Sequence, residues 1–258
     1  MTAGEDERLI AQLRAAGCVF AEEEAAVLRR WAADPRQLAA WAVRRAAGEP
    51  LEHVVGRVEF AGLDLVVGPG AFVPRQRSAL LAATAVDLLA ARRSPVFVEA
   101  FCGVAPIAAY VADRCRGAYV VATDADPVAL AFAAENLSAD AVYRGAGLSG
   151  LPEPLRGRVD VIAAVPPYVP ESAVELLPHE AVDHEPRAAL VGGGDDGLLR
   201  AAELLQQARS WLLDGGAVVI EMNVAQTSAA SEIARAGGLS PSVIEGGDGQ
   251  TAVLIGLR

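Results

Sequence analysis

Acidic and aromatic residues that could take part in catalysis lie at the ends of apolar segments of this chain. Glu99 and Asp124 each follow a short apolar run, and Tyr168 lies shortly after the apolar residues 159–162. Carboxylates near an aromatic hydroxyl can bind a small cationic amine and accept a proton from it. We therefore predict that Glu99, Asp124 and Tyr168 are catalytic.

Two arginines and one cysteine add further candidates. Arg75 and Arg187 can each hold a carboxylate, phosphate or sulfate group in a bidentate manner. Arg187 can equally form a structural ion pair with Glu185, and the sequence favours neither alternative. Cys102 stands at the start of a predicted crossover helix, where a thiolate is stabilised. A small buried apolar residue is the commoner role for such a cysteine.

The elements that position these residues alternate between strand and helix from residue 96 onward. Strand patterns occur at residues 96–98, 119–122, 142–143, 159–162 and 217–220, with helices near 107–114, 127–137 and 198–213. Two late strands, at 240–244 and 252–257, close the chain. This order predicts an α/β fold with a Rossmann-like, mostly parallel sheet and an antiparallel edge. The carboxyl ends of its strands form a ligand crevice, where the candidate residues meet.

The chain before this sheet divides into two smaller parts. Apolar residues recur at helical spacing between residues 5 and 48, which predicts an N-terminal helical domain over residues 1–50. Residues 54–67 alternate between apolar and polar on either side of Ala61-Gly62, which predicts a β-hairpin within a linker, residues 51–74. The Rossmann-like domain is predicted over residues 75–258.

Composition excludes several classes of function. The 22 basic residues are all arginine, and the 33 acidic residues bring the net charge to −11. Such a surface repels nucleic acid, and without lysine the chain has no Schiff-base chemistry. The three cysteines and three histidines show no metal-binding spacing, so no metal site is expected. The acidic N-terminus and the lack of a long apolar run predict a cytoplasmic protein without a membrane partner.

Several motifs, in the right order, resemble those of the HemK-like glutamine-N5 methyltransferases. They are Pro50-Leu51-Glu52-His53-Val54-Val55-Gly56, Phe72-Val73-Pro74-Arg75, Val165-Pro166-Pro167-Tyr168, Asp183-His184-Glu185-Pro186-Arg187, Gly194-Asp195-Asp196-Gly197, and Glu221 with Gln226. The resemblance implies a class I methyltransferase fold with S-adenosylmethionine as methyl donor. The family's Asn-Pro-Pro-Tyr motif accepts hydrogen bonds from the nitrogen that is methylated. Val165 stands at the Asn position and has no side-chain acceptor.

The same resemblance assigns cofactor contacts to Glu99, Gly103 and Asp124, with departures around them. The family loop Asp-x-Gly-x-Gly-x-Gly becomes Glu99-Ala100-Phe101-Cys102-Gly103-Val104-Ala105 here, and side-chain bulk in it is expected to collide with the amino-acid end of the cofactor. Asp124 matches the acid that binds both ribose hydroxyls. Gly145-Ala146-Gly147 replaces the acid that binds the adenine amino group.

These departures lead to a first hypothesis of a redirected enzyme in natural-product biosynthesis. It would catalyse a non-methylating step, such as intramolecular displacement to an aziridine, on a small polar amine, with no cofactor. The predicted substrate-binding residues are Arg75, Phe101, Val165, Pro166, Pro167 and Glu185. An S-adenosylmethionine-dependent N-methyltransferase of the glutamine-N5 type is the alternative. A non-catalytic scaffold or partner subunit is a third, and a companion protein from the same gene cluster is expected under the first or third hypothesis.

Overall fold

The N-terminal part of the molecule is a bundle of three helices. A computed structural model describes residues 3–258, so the first two residues of the predicted acidic N-terminus lie outside the described residues. The helices are α1 (Ala3–Ala15), α2 (Ala21–Trp31) and α3 (Pro35–Ala46). Asp34 caps the start of helix α3, because its carboxylate accepts hydrogen bonds from the N–H groups of Arg36 and Gln37 at 2.8 Å. The bundle buries an apolar core of its own.

The linker combines a short helix with the predicted hairpin. Helix α4 (Leu51–Val55) precedes strands β1 (Arg57–Phe60) and β2 (Leu63–Val66), which pair antiparallel around Ala61-Gly62. The hairpin is shorter than predicted, because residues 54 and 55 belong to α4, which ends at Gly56 with a φ of +76°. The domain boundaries at residues 50 and 74 stay predictions.

The remainder of the chain forms a seven-stranded sheet with helices on both faces. Its strands run in the order β5-β4-β3-β6-β7-β9-β8, and only the last two pairings are antiparallel. The strands are β3 (Val96–Ala100), β4 (Tyr119–Asp124), β5 (Val142–Arg144), β6 (Val159–Ala164), β7 (Leu212–Asn223), β8 (Ser240–Glu245) and β9 (Thr251–Leu257). The helices are α5 (Ala79–Leu89), α6 (Pro106–Arg114), α7 (Pro127–Asn136), α8 (His179–His184), α9 (Arg187–Leu190), α10 (Leu199–Trp211) and α11 (Thr227–Ala236).

The register of the three central strands places their carboxyl ends side by side. Ala100, the last residue of β3, pairs with Thr123 of β4 and with Ala164 of β6. All six residues of β6 are buried, as expected for a strand covered on both faces. After β5 the chain crosses back to the other side of β3, and such a switch in strand order opens a crevice at the carboxyl edge. Within residues 3–258, no helix is both long and apolar enough to cross a membrane.

Candidate functional site

A cavity of about 700 Å³ lies at the carboxyl ends of β3, β4 and β6. A volume of this size suits a small-molecule ligand or cofactor. Most of the residues that the sequence singles out contribute to its wall: Arg75, Glu99, Phe101, Cys102, Gly103, Asp124, Val165, Pro166, Pro167 and Tyr168. The structure therefore brings most of the predicted site residues together in one cavity, and their roles stay predictions.

Glu99 is engaged by the first turn of α6. Its two carboxylate oxygens accept hydrogen bonds from the N–H groups of Ile107 at 3.3 Å and Ala108 at 2.6 Å. Burial raises the pKa of Glu99 to about 8, although those N–H groups oppose the shift. Glu99 thus joins β3 to α6, and each of its oxygens accepts one hydrogen bond from that helix.

Asp124 presents its carboxylate at the end of β4. One oxygen accepts a hydrogen bond from the N–H of Gly103 at 2.8 Å, and the other from the N–H of Asp126 at 2.9 Å. Burial raises the pKa of Asp124, while the backbone N–H groups of Asp126, Gly103 and Ala125 oppose that change. No described arginine forms an ion pair with Asp124, so no guanidinium neutralises this carboxylate in that part of the chain.

The loop between β3 and α6 has a left-handed backbone at every second residue. The φ angles are +53° at Phe101, +53° at Gly103 and +61° at Ala105. These are the three positions at which the family's loop pattern has glycine, the residue best suited to such angles. The loop therefore keeps the glycine-type backbone although two of the three glycines are gone.

Tyr168 is held at both of its ends. Its hydroxyl oxygen accepts a hydrogen bond from Nη2 of Arg77 at 2.8 Å. Its backbone carbonyl accepts one from Nε2 of Gln226 at 3.0 Å. Burial raises the pKa of the Tyr168 hydroxyl, and the Arg77 guanidinium partly offsets that change. Tyr168 is therefore a fixed, neutral phenol at the cavity wall.

Arg77 and Glu221 support this tyrosine, and our candidate site omits both. Arg77 Nε lies 3.2 Å from an oxygen of Glu221, whose side chain is only 1% exposed. Burial raises the pKa of Glu221, and Ser78 and Arg77 partly offset the rise. The signals in the sequence are the position of Arg77, two residues after the Phe-Val-Pro-Arg motif, and the match of Glu221 to a family position.

Glu185 does not lie in the cavity wall, which corrects its predicted contact with substrate. Its side chain is 1% exposed and pairs with Arg75 Nη2 at 2.6 Å, while its other oxygen accepts from the N–H of Val73. The alternative ion pair with Arg187 is also wrong, because Arg187 pairs with Glu171 instead. Arg75 thus reaches the cavity with part of its guanidinium already bound.

The last candidates are the Cys102 thiol and groups of metal-binding residue types. Burial raises the pKa of the Cys102 thiol well above its ordinary value, and the nearby Glu99 and Asp124 act in the same direction. The thiol is therefore a buried apolar group and not a reactive thiolate. Among residues 3–258 there is no group of His, Cys, Asp or Glu that could hold a metal ion.

Comparisons with known proteins agree on a family of methyltransferases. The chain is 38% identical over 195 residues to the release factor glutamine methyltransferase of Mycolicibacterium smegmatis, covering 73% of this chain and 68% of that protein. It is 36% identical over 182 residues to the Streptomyces coelicolor protein of the same name, covering 69% and 64%. The Moorella thermoacetica protein is 37% identical over 198 residues, covering 76% and 69%. The chain thus spans about two thirds of the length of these relatives. No protein-family model matches it.

Comparison of the fold with solved structures also identifies a methyltransferase fold. A methyltransferase from Pyrococcus furiosus superposes with a TM-score of 0.55 at 21% identity, covering 76% of this chain and 89% of that one. Together with the strand order, this confirms the predicted Rossmann-like class I methyltransferase fold.

The relatives overturn two predictions and leave others untested. The non-methylating, ring-closing function is wrong, because these relatives are named as methyltransferases. The expectation that no cofactor is needed is wrong for the same reason, since methyl transfer requires a methyl donor. A companion protein, a scaffold role, the absence of nucleic acid and a cytoplasmic location stay predictions.

Proposed function

We propose that this chain transfers a methyl group from S-adenosylmethionine to a nitrogen, with a glutamine side-chain amide as the first candidate acceptor. The chain belongs to the release factor glutamine methyltransferase family. The observation that carries the proposal is the backbone of the loop at residues 101–105. A left-handed conformation costs about 1 kcal/mol or more at a residue with a Cβ, yet Phe101 and Ala105 both adopt it. Retention of this backbone favours a loop still shaped for the cofactor.

The cavity fits S-adenosylmethionine at its ribose and along the loop. A Cβ built on Gly103 meets no atom within 4 Å, so the loop backbone is open to the cavity at that residue. The Asp124 carboxylate can accept hydrogen bonds from two neighbouring hydroxyls. Ala146 and Gly147 line the cavity, and at the position that the resemblance gives to the adenine contact they would offer backbone groups only. When bound, S-adenosylmethionine supplies a methyl group activated by a positive sulfonium, which the negative charge of Asp124 favours.

The acceptor nitrogen would lie against residues 165–168. An amide nitrogen carries two hydrogens, and acceptors for them localise its lone pair for attack. Val165 offers no side-chain acceptor. The backbone carbonyls of Val165 and Pro166 are available instead, because they accept no hydrogen bond within residues 3–258. The Tyr168 hydroxyl oxygen, which already accepts from Arg77, has a second lone pair. These three oxygens would replace the missing asparagine.

A small polar amine is the second candidate acceptor, and the side chain at Val165 favours it. The lone pair of a neutral amine is nucleophilic without the acceptors that an amide needs. Loss of the asparagine carbonyl therefore lowers the rate of methyl transfer less for an amine than for an amide. The two candidates differ in the acceptor alone, so binding of the methyl donor tests both at once.

Calorimetric titration of S-adenosylmethionine into the purified chain tests the proposal. We expect micromolar affinity for the wild type and at least tenfold weaker binding for Asp124→Asn, because one charged hydrogen-bond acceptor is lost. The exposed Asp140→Asn is the matched control and should bind as the wild type does. Absence of heat at millimolar S-adenosylmethionine, for a chain that is folded by circular dichroism, would refute the proposal.

A further inference from the structure

Phe101 combines a strained backbone with a place in the cavity wall. Its φ of +53° is one that bulky side chains rarely adopt. Its ring packs beside the core on the α10 side of the sheet, which includes Leu148 and Leu204, and it lines the cavity at the same time. The half-buried ring therefore contacts both the core and the cavity.

The other two left-handed residues of the loop leave the cavity open. Gly103 has no side chain, and a Cβ built on it would meet no atom within 4 Å outside its two chain neighbours. Ala105 is fully buried and carries only a methyl group. Phe101 is thus the residue among the three that brings a large side chain to a loop whose backbone is otherwise shaped for close approach by a ligand.

We propose that Phe101 limits the affinity of this chain for S-adenosylmethionine, because its ring fills volume beside the open Gly103 backbone that the cofactor needs. The inference rests on the proposed function, since it presumes that S-adenosylmethionine enters this cavity. Phe101 then acts as a determinant of cofactor affinity. Glycine at this position would leave the loop backbone unchanged and enlarge the cavity next to it.

An aromatic ring can also attract a sulfonium cation, and this effect has the opposite sign. A cation within about 6 Å of a ring face gains roughly 0.5–2 kcal/mol. S-adenosylhomocysteine separates the two effects, because it lacks the positive charge but retains nearly the same volume. A steric limit affects both ligands alike, whereas an attraction to the charge affects S-adenosylmethionine alone.

The experiment is calorimetric titration of both ligands into the wild type, Phe101→Gly and Phe101→Ala. Phe20→Gly, at an exposed phenylalanine of the helical domain, is the matched control. We expect Phe101→Gly to bind both ligands about tenfold more tightly than the wild type, Phe101→Ala to fall between them, and Phe20→Gly to bind as the wild type does. Thermal melts verify that each variant is folded.

Each of the other outcomes decides the inference, the proposed function or both. Equal affinities of the wild type and Phe101→Gly would show that the ring does not limit binding, while the proposed function stands. If Phe101→Gly bound S-adenosylmethionine more weakly than the wild type but bound S-adenosylhomocysteine equally well, the ring would be shown to attract the sulfonium. No binding of either ligand by any variant would remove the proposed function and this inference together. Binding by Phe101→Gly but not by the wild type would support the inference and refute the proposed function for the natural chain.

Discussion

Replacing Glu99 with glutamine should change how the stability of the protein depends on pH. Glu99 is buried between β3 and α6, and its pKa is about 8 instead of 4.5. Between these two values the folded chain keeps a proton on Glu99 that the unfolded chain has released. Unfolding then releases a proton, so the free energy of unfolding falls as pH rises through this window. Glutamine does not titrate and lacks this dependence.

The size of the effect follows from the difference between the two pKa values. Each pH unit well inside the window changes the free energy of unfolding by about 1.4 kcal/mol. The curve flattens near each pKa, so the wild type should lose roughly 3–4 kcal/mol relative to Glu99→Gln between pH 5 and pH 8. A loss of this size is a large part of the stability of an ordinary domain.

Urea unfolding followed by circular dichroism at pH 5, 6.5 and 8 measures this difference. Glu175→Gln makes the same chemical change at an exposed position and controls for loss of one surface charge. Parallel pH dependence of the wild type and Glu99→Gln would refute the reasoning. It would mean that the N–H groups of α6 hold Glu99 as a carboxylate even at pH 5.

Three further predictions concern the cavity wall. Val165→Asn supplies a side-chain carbonyl to the acceptor nitrogen and should raise kcat/KM for methylation of a release factor about tenfold. An unchanged kcat/KM would mean that the backbone carbonyls suffice. Phe101→Ala should be about 1 kcal/mol less stable than Phe101→Gly, seen as a Tm lower by about 2–4 °C, because only glycine relieves the positive φ; equal Tm values would argue against strain there. Arg77→Gln leaves the Glu221 carboxylate buried without its partner and should lower the free energy of unfolding in urea by about 1–2 kcal/mol at pH 7. Adding Glu221→Gln should recover part of that loss, and a further loss in the double variant would contradict the pairing.

The sheet was predictable from the sequence because its evidence is local. An apolar run such as residues 159–162 predicts a buried strand, and an Asp-Pro pair such as Asp126-Pro127 is typical of the start of a helix. In the structure Asp126 accepts a hydrogen bond from the N–H of Val128, as that motif predicts. Once parallel strands are in place, their carboxyl ends must share one edge. The position of Asp124 and Tyr168 in one cavity follows from that rule.

The partners of the charged residues were not predictable, because they lie far apart in the chain. Glu185 pairs with Arg75, 110 residues away, whereas the neighbouring Arg187 pairs with Glu171. Arg77 meets Tyr168 across 91 residues. No local pattern distinguishes such pairs from alternatives nearby in sequence.

The non-methylating function without a cofactor was inferred wrongly, because the inference relied on side chains alone. The substitutions at Phe101 and Ala105 remove glycine, which suggests that the loop has changed shape. The backbone at both residues nevertheless remains left-handed, because β3 and α6 fix the ends of the loop and packing holds it between them. The flanking elements and the packing around the loop set its backbone conformation, so the residue types in the loop are a poor guide to it.

Transfer of a labelled methyl group measures the proposed activity most directly. The purified chain is incubated with S-adenosylmethionine that carries a deuterated methyl group and, in parallel reactions, a bacterial release factor and small primary amines. Mass spectrometry should then detect the deuterated methyl on a nitrogen of one acceptor, at a rate that falls with Asp124→Asn. Binding of S-adenosylmethionine without label on the nitrogen of any of these acceptors would contradict methyl transfer as the function of this site.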